Sequence, residues 1–273
     1  MLRTLFVEEA RTQLARNAAV LGLCALILGG FLGLWWLLSD VTAMATLMQT
    51  GALITLVAMP LVVLAQVGVE YWQSMYGERG YLTQVIPVRG RTHFTAKVSY
   101  ACVVALVLAG ATLAGALAWI AILADSRGLT FAEALDPLQQ MIRHFGGPTM
   151  ILLLASMVLG LLSTIVEVAA VMSIGAQSRF NHMGFGAPML GLVVLYGVNQ
   201  ILGLAAVTLI PLSVDITTGS LTTTWMLPQL LEAIRTGSDP TRIGVGSVLI
   251  GPLLAAVLSW WAVRAIEQHT SLR

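Results

Sequence analysis

The stretch Ser74–Lys97, SMYGERGYLTQVIPVRGRTHFTAK, is the soluble-looking interval in a chain that otherwise alternates long apolar runs with short polar ones. It holds Arg79, Arg89, Arg91 and the only lysine, Lys97, out of fourteen Lys and Arg residues in all. It also carries an apolar set: Tyr76, Tyr81, Leu82, Val85 and Ile86. The spacing predicts a short helix near Tyr76–Val85, with Tyr81, Leu82 and Val85 on neighbouring faces and Glu78 and Arg79 elsewhere on its surface. Pro87 and Gly90 are expected to end it, and Thr92 to cap the helix that follows. A compact, basic, partly apolar helix of this kind suits contact with a partner.

Outward from that stretch the chain reads as membrane. It is 58% hydrophobic and 10% charged, where a soluble domain is about a quarter charged. The expected class is an all-α polytopic membrane protein, a single transmembrane domain over residues 1–273. A helix needs about 20 apolar residues to cross a ~30 Å hydrocarbon core. Six runs qualify: 18–38, 51–71, 98–124, 149–172, 188–210 and 244–263, with Pro60 expected to kink the second. Trp35, Trp36, Trp72, Trp119, Trp260 and Trp261 fall near their ends, as interfacial aromatics do. The run that follows residues 1–17 is too long for the apolar part of a cleavable signal peptide.

Residues 1–17 repeat Leu2, Phe6, Ala10 and Leu14 every fourth position, with Glu8, Arg11, Thr12 and Arg16 on the other side. That predicts an amphipathic helix lying in the membrane interface, with Glu8–Glu9 on its solvated face. Between spans three and four, Thr130 and Glu133 form a capping-box pattern, and Leu135, Leu138, Ile142 and Phe145 keep helical spacing as far as Gly146. A second short outer helix is predicted near Trp225–Thr236, with Pro228 in its first turn and Gly237 after its end.

Charge sets the orientation. Segments 1–17, 72–97, 173–187 and 264–273 contain Arg3, Arg11, Arg16, Arg79, Arg89, Arg91, Lys97, Arg179, Arg264 and Arg273. The alternate segments contain only Arg127, Arg143, Arg235 and Arg242. The first set is therefore expected inside, with both termini cytoplasmic.

Motifs for chemistry are few. There is no GxxxxGK[ST], GxSxG, HExxH or CxxC pattern. His93, His144, His182 and His269 are scattered, so no metal site is expected, and Cys24 and Cys102 lie in apolar runs as packing residues. No basic domain points to nucleic acid. The intramembrane polar groups are more informative. Ser156, Gly160, Ser163 and Glu167 share one face of the fourth span, and Tyr196, Asn199, Gln200 and Gly203 one face of the fifth. A carboxylate at that depth is costly unless paired, protonated or facing water. Two readings stand: Ser163, Glu167, Tyr196, Asn199 and Gln200 line a translocation path, or they are interhelical glue. Glu70, near the inner end of the second span, reads as a surface or capping residue.

The run Gly80-Tyr81-Leu82-Thr83-Gln84-Val85-Ile86-Pro87-Val88, preceded by Tyr76-Gly77-Glu78-Arg79 and followed by Arg89, Arg91 and Lys97, resembles the cytoplasmic loop of the membrane subunits of bacterial ABC-2 type ABC transporters. The resemblance implies that residues 76–86 are a coupling helix. Tyr76, Glu78, Arg79, Gly80, Tyr81, Leu82, Val85 and Pro87 would then contact a separate ATPase subunit, with Gln177–Gly186 as a minor contact. It further implies a complex of two membrane subunits, identical or not, and two ATPase subunits in the bacterial plasma membrane. ATP and magnesium would be held by the partner, with no cofactor and no enzyme active site in this chain. The cargo would be a hydrophobic or amphipathic molecule (lipid, peptide or drug), most often exported. The alternatives are an ion-gradient-driven secondary transporter with Glu167 as its proton site, and a membrane-embedded enzyme or scaffold.

Overall fold

The structure, a computed structural model, describes residues 1–77, 79, 80, 85 and 87–268, and of Asn181 the backbone alone. Among the described residues, helices dominate. In chain order they are α1 (Leu2–Leu37), α2 (Thr42–Met75), α3 (Gly90–Ser126), α4 (Phe131–Ala134), α5 (Asp136–Gly175), α6 (Gly186–Leu209), α7 (Leu227–Thr236) and α8 (Ile250–Gln268). Six helical segments are long and apolar enough to cross a membrane: α1, α2, α3, α5, α6, and α8 together with the single turn before it. This is the construction that lipid imposes, because a helix bonds its own backbone polar groups internally. Large apolar side chains such as Leu26, Ile54, Leu61, Leu113, Met157 and Ile201 point outward from these helices.

The chain divides into two compact units, Met1–Pro137 and Leu138–Arg273. In the first, α1, α2 and α3 pack on one another. Leu28, Leu32 and Trp35 of α1 are buried with Ala52 of α2, and Phe31, Leu56 and Trp119 close around them. The Trp35 and Trp119 rings lie 5.7 Å apart in a tilted pair. Gly115 leaves the space that Leu28 fills, and a Cβ there would sit 2.8 Å from the leucine methyl. A second apolar layer joins Met59, Val63 and Leu108. Cys24 and Cys102 are free thiols in this packing.

One feature differs from the sequence reading here. Residues 1–17 are not a separate helix; α1 runs unbroken from Leu2 to Leu37. No glycine or proline interrupts the join between the polar and apolar parts, so nothing stops propagation. At about 1.5 Å per residue its 36 residues extend roughly 54 Å, well beyond the ~30 Å of a bilayer core. Pro60, expected to kink the second span, lies inside α2. Ahead of the second unit, α4 carries the anticipated capping box. Thr130 N–H donates to Glu133 Oε2 (2.7 Å) and Glu133 N–H to Thr130 Oγ1 (3.3 Å).

In the second unit, α5 bends at Gly146, where φ is 70° and ψ 165°, two residues before Pro148. The short helical arm up to Phe145 and the membrane-length arm after it therefore form one element with a break. Between α6 and α8 lies a small antiparallel sheet, β1 (Ser213–Asp215), β2 (Leu221–Thr222) and β3 (Arg242–Gly244), in the order β2-β1-β3. The sequence reading did not anticipate it, since strands of two or three residues are too short for an alternation to register. The turn between β1 and β2 is built on Asp215. Its Oδ1 accepts from the backbone N–H groups of Thr217 (2.9 Å) and Thr218 (3.2 Å) and from the Thr217 hydroxyl (2.6 Å), while Arg242 Nε donates to Oδ2 (3.3 Å). The turn is fastened to α5: Thr149 donates to the Gly219 carbonyl (2.9 Å), and His144 Nε2 bonds the Ile216 carbonyl (2.7 Å). α7 follows, with Pro228 in its first turn and Gly237 closing it at φ 69°.

Two expectations arise from this corner. Gly219 has φ +68°, and a Cβ added there would run into the His144 carbonyl. Gly219→Ala should cost more than the ~1–2 kcal/mol of left-handed backbone strain, read as a lower thermal midpoint in detergent. The Asp215 carboxyl is held below its ordinary value of 3.8, at about 2, first by the Thr217 hydroxyl and also by the two backbone N–H groups and Arg242. A depressed folded value adds stability that is complete above the ordinary value and is lost as pH falls through about 2. Hydrogen exchange over residues 213–222 should therefore quicken below that ordinary value in the native chain and show no such step in Asp215→Asn.

Candidate functional site

The end of α2, the stretch after it and the start of α3 form the candidate site. Met75 and Tyr76 are buried where α2 ends, and the Tyr76 ring lies 5.3 Å from that of Trp72. Gly80 N–H donates to the Gly77 carbonyl (2.8 Å) and Gly80 is buried. Val85, Pro87 and Arg89 are exposed. Glu78, Tyr81, Leu82 and in all half of the predicted 76–85 helix lie outside the described residues. The helix expected to be capped by Thr92 instead begins at Gly90, with extended Arg89 at its N-cap and no side-chain cap.

Beneath this stretch the three helices of the first unit are joined by charge. Glu70, on α2, is 4% exposed at its side chain. It accepts from Arg16 of α1 (2.6 Å) and from Arg79 (3.2 Å), one oxygen each, and Arg79 also donates to Gln73 (2.8 Å). Lys97, on α3 and 6% exposed, donates to both oxygens of Glu9 on α1 (2.8 and 2.7 Å) and to Ser74 of α2 (2.8 Å). Gln13 donates to Glu9 from the next turn, and Asn17 to the Tyr100 hydroxyl (3.1 Å). Glu9, Gln13, Arg16, Glu70, Ser74, Arg79 and Lys97 surround a cleft of about 260 Å³, which Leu5, Thr12, His93 and Ala96 also line.

Glu70 and Glu9 therefore differ from their sequence reading as surface and solvated residues. The amphipathic pattern of residues 1–17 was read with its polar side to water, yet Gln13 and Asn17 are buried and Leu14 is exposed. An apolar face can meet lipid as readily as protein, so the polar face can be the inner one. The available signal was a set of polar residues at helical spacing on all three helices: Glu9, Gln13 and Asn17; Gln66, Glu70 and Ser74; His93, Lys97 and Tyr100.

Of the intramembrane residues, the structure brings Glu167 and Asn199 together. Asn199 Nδ2 donates to Glu167 Oε2 at 2.7 Å, joining α5 to α6, and Glu167 is 2% exposed. Ser163 is buried on the same helix as Glu167, near Gly251. Tyr196 and Gln200 are exposed on α6. Comparison with family models, curated proteins and solved structures finds no match.

The two ion groups differ in what they need. Arg16 and Arg79 are 44% and 42% exposed, so water can receive either guanidinium if Glu70 is lost. Lys97 has no such exit. Removing one partner of a buried pair costs about 3–5 kcal/mol, whereas replacing both with apolar residues is often neutral. Glu9→Ala should therefore destabilise the chain by about 3 kcal/mol, and the pair Glu9→Leu with Lys97→Met by under about 1 kcal/mol, measured by chemical unfolding in detergent.

Proposed function

We propose that this chain is the permease subunit of an ATP-driven transporter of the ABC-2 type, located in a bacterial plasma membrane with both termini cytoplasmic. Residues 76–86 act as the coupling helix and, with Pro87, dock on a separate ATPase subunit that holds ATP and magnesium. A second membrane subunit completes the pathway, and the cargo is a hydrophobic or amphipathic molecule moving outward. The N-terminal turns of α1 are the part of that long helix that reaches past the apolar core, with Leu2 and Leu14 directed to the headgroup region.

One observation carries this reading furthest. Arg79, inside the stretch that resembles a coupling helix, is bonded to Glu70, and Glu70 is bonded to Arg16. A displacement of the stretch is thereby delivered to α2 and α1 through one buried carboxylate, and Lys97 extends the connection to α3. A docking element needs such a linkage if ATP hydrolysis on a partner is to move membrane helices.

The second reading, a gradient-driven transporter using Glu167, draws on the buried Glu167–Asn199 bond. That bond equally suits a strut between helices. A pull-down in mild detergent separates the two. The permease reading expects an ATPase at near equal ratio, lost in Tyr81→Asp or Leu82→Asp because a charge enters an apolar docking surface, with membrane insertion unchanged. With Glu167 as a strut, Glu167→Gln should keep transport. Recovery of the chain without an ATPase, together with proton-dependent transport abolished in Glu167→Gln, would replace it with the second reading.

A further inference from the structure

The second unit contains a groove of about 370 Å³ at the end of α6 where that helix begins. Ile174 of α5, Phe180 of the turn Ser178–Met183, Leu190 and Val194 of α6, and Leu258 and Trp261 of α8 enclose it. Its volume falls within the ~300–1,000 Å³ of small-molecule sites. The side chains lining it are all apolar. An occupant with hydrogen-bonding groups would leave them unmatched at a cost of about 1–3 kcal/mol each, whereas a hydrocarbon chain needs no partner.

Two cations stand beside this apolar surface. The Arg179 guanidinium lies 4.6 Å from the centre of the Phe180 ring, and Phe180 lines the groove. The Arg264 guanidinium lies 5.8 Å from the centre of the Trp260 ring, next in sequence to the lining Trp261. Both arginines are exposed, and neither forms an ion pair among those of the described residues. Arg264 Nε donates to Gln268 Oε1 (3.2 Å); stacking on a ring fixes a guanidinium's position while its terminal N–H groups can still meet an anion. The turn Ser178–Met183 follows α5 and precedes α6, and Arg264 is near the end of α8. Both therefore lie at the chain-reversal end of membrane-length helices, at headgroup level.

The geometry points to a binding site for an anionic phospholipid, with one acyl chain in the groove between α6 and α8 and the phosphate on Arg179 and Arg264. Apolar lining and cationic border together match an acidic amphiphile, and neither alone does. The site follows from the membrane setting of the helices and stands apart from the transporter reading.

The test uses the full chain in nanodiscs of phosphatidylcholine with and without phosphatidylglycerol, with retained lipid counted by native mass spectrometry after extraction into detergent. The wild type should retain phosphatidylglycerol in preference to phosphatidylcholine. Arg179→Ala with Arg264→Ala should lower that preference by about twenty-fivefold, about fivefold for each arginine. Val194→Trp, which fills the groove from an exposed position of α6, should remove the bound lipid while leaving both arginines in place. Equal retention of the two lipids by the wild type would overturn the headgroup assignment. Retention unchanged in Val194→Trp would overturn the groove assignment. Efficient disulfide cross-linking of Val194→Cys between copies in the membrane would show that a second chain covers the groove, and would overturn the proposal in favour of an interface.

Discussion

A lysine shut away from water at the foot of a membrane helix needs a counter-charge, and in this chain Glu9 supplies it. The requirement is strong because Lys97 is almost wholly removed from water: desolvating an ammonium group costs several kcal/mol, and only a close, well-bonded partner offsets it. Lys97 meets both carboxylate oxygens and the Ser74 hydroxyl, which accounts for its three donors. The pair also fixes a register. Glu9 is on α1, Ser74 on α2 and Lys97 on α3, so the three helices are aligned at one level by polar bonds. Along the rest of their length, Leu28, Trp35, Met59 and Leu108 supply packing that is less selective about position.

Glu70 works by a different balance. Its two arginines are half in water, so their removal from solvent is cheap and each can let go without stranding a charge. A bond that is buried at one end and wet at the other holds a geometry without locking it. That combination is what a movable junction requires, and it lies between α1 and the stretch that follows α2. In the second unit the corresponding junction is rigid by construction. Asp215 collects donors from its own turn, and the turn is bonded to α5 on both sides of the Gly146 break.

How much of this could be read in the chain depends on the length scale of each feature. Six membrane-length helices were legible because a continuous apolar run of about 20 residues has few other uses. The capping box at Thr130 and the α7 helix between Pro228 and Gly237 were legible because their signals are local and complete within a turn. The β1–β3 corner was not, since its strands are too short to show a period and their partners are up to thirty-one residues apart, from Ser213 to Gly244. Glu9 and Glu70 were misread for a reason peculiar to membranes. In water the polar face of a helix is the outer one; beside lipid either face can turn inward, and composition alone does not choose. The Glu167–Asn199 contact was half legible: both stripes were visible, but which member of each meets the other depends on how α5 and α6 are rotated.

Lys97 is the chain's only lysine, and it is almost wholly enclosed. Reagents that acylate or cross-link lysine amines thus have a single side-chain target in the whole protein, and the fold conceals it. The ε-amine becomes reactive only when α1 and α3 part at Glu9. A covalent tag on that one atom would then be a record of opening, written at the point where three helices meet.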